Sequence, residues 1–269
     1  IGFLWPHHFI GGKVNAKKRI GWIHTDYSNI FVNRKLETRM WNKVDQIVAV
    51  SEDCSKTFLR FFPNFKEKTT VIENILSPEI IYEQAFREEP AEIKKYSGKT
   101  IIVTVGRLSH AKGMDQAIKA CRELLKKGYD IEWYVIGYGP LEHDLQNLID
   151  ELDLKGRFFL LGKKINPYPY IKACDIYVQP SRYEGKAVTV REAQILRKPV
   201  VITNFPTARS QALDEYDALI TPMNIEGIVA GVQRVIDDQQ LREQLVFNVS
   251  KNLYGNEKEI EKLYRLIES

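Results

Sequence analysis

Cysteine is scarce in this chain, and the three residues present, Cys54, Cys121 and Cys174, show no CxxC spacing. That excludes a disulfide framework and a cysteine-based zinc module. Cys121 and Cys174 lie in apolar patterns and are expected to be buried free thiols in a reducing compartment. Long hydrophobic runs are also lacking: stretches such as 101–105 have the length of a strand, far short of the roughly 20 residues of a transmembrane helix. No signal peptide is read at the N-terminus. No His, Cys, Asp or Glu spacing marks a metal cluster, and no Asp-x-Asp occurs. Charge of one sign has little excess, with 39 Lys and Arg against 35 Asp and Glu, a net of +4. This is too mild to imply nucleic acid, and the basic groups Lys17, Lys18, Arg19 and Lys163, Lys164 carry no interleaved aromatic stacking pattern.

What is present reads as an ordinary globular protein, with 269 residues, 44% hydrophobic and 28% charged, enough for about two domains. Strand-like segments at 101–105, 131–136, 157–161, 175–178, 199–203 and 218–221 alternate with helical patterns. Met114, Ala117, Ile118, Cys121, Leu124 and Leu125 recur at helical spacing, and Gly128 supplies the stop. Leu141, Leu145, Leu148, Ile149 and Leu152 form a second apolar face, with Pro140 expected in its first turn. Strands joined by helices of this length predict parallel pairing with right-handed crossovers, and so an α/β doubly wound sheet.

Such sheets bind ligands beyond the C-terminal ends of their strands. Gly106, Arg107 and Lys112 follow the first of these strands, Gly137 and Gly139 the second, and the stretch PSRYEGKAVTVREA, residues 180–193, the fourth. In that stretch Glu184 lies in the loop and Glu192 in the second turn of the following helix. Gly185 and the helix start offer backbone N–H groups to an anion. A diphosphate between two sugars suits this arrangement, with the carboxylates accepting hydroxyl hydrogen bonds on either side. A solvated helix start with a dipole-compatible acid fits the same residues. Arg107 can present a guanidinium fork and Lys112 an ammonium to two phosphates, or each can serve a structural ion pair. The Gly137 and Gly139 pair fits a tight turn or a loop against a nucleobase.

Taken together, GRLSHAKGMD at 106–115, VIGYGP at 135–140 and PSRYEG with Glu192-Ala193 eight residues on resemble the family 4 retaining glycosyltransferases. The likeness covers about residues 99–222. It implies the GT-B fold, two Rossmann-like domains facing a cleft, with Arg107 and Lys112 on the donor diphosphate. It also implies that Glu192 holds the ribose, while Glu184 meets the donor sugar with backbone from Gly185, Lys186, Ala187 and Val188. Lys186 departs from the small or apolar residue usual there. Upstream, residues 19–24 read as a strand ending on His24, which looks like the histidine the family presents to the donor sugar, with Thr25 and Asp26 following. Residues 46–50 and 69–73 supply two further strands, and Asn74-Ile75 stands where relatives often have Asn-Gly.

On this resemblance residues 1–93 are a partial N-terminal, acceptor-side domain and linker, hinged at 90–98. Residues 94–269 form the donor domain with C-terminal helices at 225–236, 241–252 and 257–267, the last crossing back to the first domain. The chain starts with Ile1 close to the His24 strand, which reads as an N-terminally truncated fragment. Residues 1–9 are expected to be remodelled and Gly11-Gly12-Lys13 a plain loop. The implied activity is transfer of a sugar from a nucleotide sugar to a glycan or lipid-linked saccharide acceptor, with retention. It requires no metal or other cofactor and sits in the cytoplasm or peripherally at the inner membrane face, in capsule or polysaccharide synthesis. The alternative is a nucleotide-sugar epimerase on the same scaffold, which would need an acid and base pair across the sugar and against which the pattern of Arg107, Lys112 and paired glutamates argues. A nucleotide-sugar-binding fragment without turnover stays open, as do the base and the sugar.

Overall fold

The computed structural model describes residues 6–93, 98–252 and 254–268. These fall into two compact units: unit 1 takes the described parts of Ile1–Leu76, Tyr183–Lys186 and Gly255–Ser269, and unit 2 those of Ser77–Arg182 and Ala187–Tyr254.

Unit 1 carries three parallel strands in sequence order, β1 (Ile20–Ile23), β2 (Gln46–Ala49) and β3 (Thr69–Val71). Its helices are α1 (Pro6–Lys13), α2 (Arg34–Trp41) and α3 (Glu52–Phe61), joined by the C-terminal helix of the chain. Asn33 and Ser51 start α2 and α3 by accepting hydrogen bonds from the N–H groups of Leu36 and Cys54, each relieving an orphan donor of the first turn. Gly11, Gly12 and Lys13, expected as a loop, form the last turn of α1 because that helix packs against α2 and β1. Of the segment 1–9, residues 1–5 lie outside the described residues, and Pro6 onward is helical. The chain leaves β3 through irregular backbone, and neither Asn74 nor Ile75 takes the left-handed conformation that a glycine there would favour.

Unit 2 begins with α4 (Pro78–Ala85), which Ser77 caps and Pro78 opens. A sheet of six parallel strands follows, β4 (Thr100–Val105), β5 (Ile131–Ile136), β6 (Phe158–Leu160), β7 (Ile176–Gln179), β8 (Val200–Thr203) and β9 (Leu219–Thr221). All six sequence-read strands are present within one residue at each end. Their order is β6-β5-β4-β7-β8-β9, the doubly wound order with its switch point between β4 and β7. The crossover helices are α5 (Met114–Lys126), α6 (Glu142–Glu151), α7 (Tyr168–Ala173) and α8 (Val188–Ile195), with α9 (Ile225–Asp237) and α10 (Gln239–Ser250) completing the unit.

The apolar stripe read on α5 is its buried face, and Gly128 ends the helix at φ +91°. Pro140, expected inside α6, precedes its first residue by two positions. The division between units falls at 76/77 instead of 93/94, because α4 packs on α7 and α8. The charged segment expected as a hinge is fastened to unit 2: Glu89 pairs with Lys172 at 2.8 Å and Glu92 accepts a 2.8 Å hydrogen bond from Tyr170, while residues 94–97 lie outside the described residues. The last helix, α11 (Glu257–Glu268), groups with unit 1, where Leu266 packs on Val48 and Ile72.

Candidate functional site

Eight of the residues singled out from the sequence lie on unit 2, at the C-terminal end of its sheet. Gly106 ends β4, and the Lys112 side chain passes over it: a Cβ at Gly106 would stand 3.4 Å from Lys112 Cδ. Arg107 is exposed, and no ion pair or hydrogen bond engages its guanidinium among the described residues. The structural ion pair that competed with a ligand role for Arg107 is therefore not formed.

The loop carrying Lys112 is clamped from behind. Gly113 adopts φ +65°, and a Cβ there would come within 2.0 Å of the Pro180 carbonyl oxygen, so only glycine fits this approach. Arg182 donates to Asp115 through both terminal nitrogens at 2.7 and 2.6 Å, and to the His110 carbonyl at 2.9 Å, while its own N–H reaches the Ala111 carbonyl at 2.8 Å. Burial opposes ionisation of Asp115, but the Arg182 hydrogen bonds and charge prevail and hold its pKa below the ordinary value. This fork-to-fork pair fixes the Lys112 loop against the loop after β7.

The glycines after β5 have a definite task. Gly137, at φ +153°, would place a Cβ 1.8 Å from the Gly106 carbonyl oxygen, and one at Gly139 would lie 2.3 Å from that of Leu108. Backbone bonds from Gly106 N to Ile136 O and from Leu108 N to Tyr138 O close this contact at 3.0 and 3.1 Å. The tight-turn reading of the pair fits these contacts, which hold the 106–108 loop.

Buried polar side chains fix the start of α8. Gln179 Nε2 donates to Ser181 Oγ at 2.9 Å, and Thr189 Oγ1 donates to Gln179 Oε1 at 3.1 Å. Thr203 Oγ1 donates to the Ser181 carbonyl at 2.5 Å. The Ala187 N–H, expected to be open to a ligand, is taken by Gln211 Oε1 at 2.6 Å, and Ala187 is buried. Val188 is half-buried. Glu192 sits in the second turn, 8% exposed. Burial raises its pKa, and a 3.2 Å hydrogen bond from Tyr168 Oη partly offsets that rise.

His24, Glu184, Gly185 and Lys186 belong to unit 1, so the two glutamates that bracket the motif sit on different units. His24 follows β1 directly, exposed, with its ring 6.0 Å from that of Trp22 at 14°. Partial desolvation lowers its pKa, favouring the neutral imidazole. Asp26 is buried and accepts from the N–H and Oγ of Ser28 at 2.9 and 2.8 Å, a turn-capping role. A Cβ at Gly185 would lie 2.1 Å from the His24 carbonyl oxygen, and Ser51 Oγ donates to the Gly185 carbonyl at 3.3 Å. Lys186, the departure from the family pattern, pairs with Glu73, and Glu184 is buried.

Sequence reasoning missed Arg182, Asp115, Gln179, Tyr168 and Gln211. The first two stand inside the quoted motifs, but nothing in their spacing shows that they meet. It also missed a grouping of His7, His8 and Glu37, whose ligand atoms all lie within 4.8 Å of one another. No spacing in the sequence announces it, because the three residues are separated by 29 and 30 positions and converge only through the packing of α1 on α2. A cavity of about 880 Å³ opens at the opposite end of the unit 2 sheet, around Thr100, Asp175 and Pro199. Of the residues read from the sequence Cys174 lines it but none of the donor-site candidates does, and ligands of doubly wound sheets bind at the other edge. No described helix is long and apolar enough to cross a membrane.

Against known proteins, the model of the family "Glycosyl transferases group 1" matches residues 85–252. An uncharacterized glycosyltransferase of Methanocaldococcus jannaschii is 30% identical over 173 residues, 63% of this chain and 42% of the relative. The N-acetylgalactosamine-N,N'-diacetylbacillosaminyl-diphospho-undecaprenol 4-alpha-N-acetylgalactosaminyltransferase of Campylobacter jejuni is 26% identical over 216 residues, 80% of this chain and 57% of the relative. The chain thus spans about half the length of these curated relatives. The crystal structure of Anabaena HepE in complex with UDP and glucose superposes with a TM-score of 0.79 at 18% identity, over 94% of this chain and 72% of that one. Its likeness establishes the shared GT-B fold.

Proposed function

Because the chain belongs to the group 1 glycosyl transferases, we propose that it carries the donor half of an enzyme moving a sugar from a nucleoside-diphosphate sugar to an acceptor with retention. The observation that carries this reading is the set at the switch point of unit 2. Arg107, exposed, and Lys112, which passes over Gly106, stand on one loop, clamped by Arg182 to the loop that leads into α8. Arg107 and Lys112 take the diphosphate and offset the charge that develops as it departs, with no metal needed for that purpose. Glu192 accepts from the ribose hydroxyls, with its full acceptor capacity in the ionised form. His24 and Glu184 serve the transferred sugar, as the family resemblance implies. UDP is the favoured nucleotide, since the Anabaena neighbour was solved with it. A lipid-linked saccharide is the favoured acceptor class, because the Campylobacter relative is named for one, and such an acceptor brings the enzyme to a membrane surface.

Calorimetric titration with UDP, GDP and ADP tests the donor site, alongside an Arg107→Ala, Lys112→Ala double variant. Two charge-assisted contacts at about 1.5 kcal/mol each correspond to at least a hundredfold loss of affinity. Equal affinity in the double variant, or no binding by a folded chain, overturns the assignment.

A further inference from the structure

The geometry points to a second site on unit 1, remote in purpose from nucleotide chemistry: we propose that His7, His8 and Glu37 bind one zinc-class divalent cation. Adjacent residues of a helix diverge by about 100°. Yet both rings of α1 turn to the same carboxylate on α2, His7 Nε2 to Oε2 at 2.8 Å and His8 Nε2 to Oε1 at 2.6 Å. The ligand atoms of all three residues lie within 4.8 Å of one another. Two imidazole nitrogens and a carboxylate are a donor set for zinc or its borderline neighbours; magnesium and calcium want oxygen throughout, and monovalent copper wants sulfur.

The surroundings are those of a held ligand set. His7 and Glu37 are each 1% exposed. The His7 ring stacks on Trp41 at 3.9 Å and 8°, which fixes its plane. Tyr27 Oη donates to Glu37 Oε2 at 3.2 Å and accepts from Trp41 Nε1 at 3.1 Å, so the carboxylate is oriented by an outer partner that is itself oriented. His8 is part-exposed, which supplies an entry path.

The present separations are those of hydrogen bonds. Metal bonds of about 2.0–2.1 Å in a tetrahedron hold ligand atoms about 3.3 Å apart, so the rings withdraw by roughly half an ångström as the cation replaces the two hydrogen bonds. Each ring then carries its proton on Nδ1 and presents the Nε2 lone pair. The cation would tie α1 to α2 and raise the stability of unit 1 without entering sugar transfer.

The test uses the whole chain, stripped with a chelator and dialysed. Zinc is titrated calorimetrically, cobalt(II) is followed by visible absorption, and melting is recorded with and without zinc. The expected result is one equivalent of each metal, an intense tetrahedral cobalt band, and a melting temperature that rises with zinc. In His8→Ala and in the shape-conserving Glu37→Gln, affinity should fall at least tenfold and the melting shift should vanish. Absence of stoichiometric binding by the unaltered chain overturns the proposal, whatever the variants do. So does unchanged affinity in a folded His8→Ala or Glu37→Gln protein. UDP titration of the same samples keeps this outcome separate from the donor-site reading.

Discussion

In unit 2 the sheet meets aliphatic ridges on its helices, Ile118, Cys121 and Leu124 of α5 with Val232 and Val235 of α9, all fully buried. In unit 1 the corresponding space is filled by rings: Tyr27, Trp41, Phe58, Phe62 and Phe65 interlock edge-to-face, tilted and stacked, with Phe58 5.1 Å from Tyr27 and 5.4 Å from Trp41. Aliphatic ridges repeat every turn and tolerate small shifts. An aromatic cluster depends on mutual angles and on partners for each polar tip. Here Trp41 Nε1 donates to Tyr27 Oη, which donates in turn to Glu37, and Lys68 Nζ closes the end of α2 through 2.6 Å bonds to the Trp41 and Val44 carbonyls. Unit 2 is held by pattern and by glycine-permitted backbone contacts, and unit 1 by side-chain geometry.

The strongest way to break the backbone side of this contrast is Gly113→Val. A branched side chain at φ +65° facing the Pro180 carbonyl combines conformational strain with an overlap that no rotamer relieves. The expected cost is about 5 kcal/mol, with loss of nucleotide binding, read by denaturant unfolding and calorimetry. A near-neutral result would show that the clamp behind Lys112 is dispensable. On the other side, Phe58→Ala removes the ring that touches every other member of the unit 1 cluster named above. About 4 kcal/mol should be lost from unit 1, while UDP affinity stays within a factor of about three. A loss of UDP affinity as large as that of Gly113→Val would mean that the two units do not divide their labour in this way.

The smallest effect sharpens the distinction between stability and function. Burial raises the Glu192 pKa, so the folded state binds its proton more tightly than the unfolded state does. Stability from this group is fully present below the unfolded value near 4.5 and is lost as pH rises through the higher folded value. Glu192→Gln should therefore melt at a higher temperature than the parent at pH 7.5, with the gap closing at pH 4. UDP affinity should fall by about tenfold from loss of the ribose contact. A variant less stable than its parent at pH 7.5 would contradict the assigned burial cost.

The six strands of unit 2 were legible because each is a short apolar run between turn residues. Their parallel pairing followed from the intervening helical periods at Met114 to Leu125 and Leu141 to Leu152. The loops that follow those strands were legible for the same reason, since chain order places Arg107, Lys112 and Glu192 at one edge of such a sheet. The use made of Gly137 and Gly139 was not, because a GxG reads alike whether it meets a base or a carbonyl. Nor was the loss of the Ala187 N–H to Gln211, which lies 24 residues further along the chain.

By itself, then, the sequence determined the repeating part of this protein: strands, helices and the edge on which charged residues gather. Those depend on periods of two and 3.6 residues that a linear text displays. Only the tertiary structure decided which residues meet across long separations. The Arg182–Asp115 clamp, the passage of Tyr183–Lys186 into unit 1, the return of α11, and the convergence of His7 and His8 on Glu37 are all of this kind. Each is fixed by packing between elements whose spacing along the chain carries no period, so no local rule could have announced it.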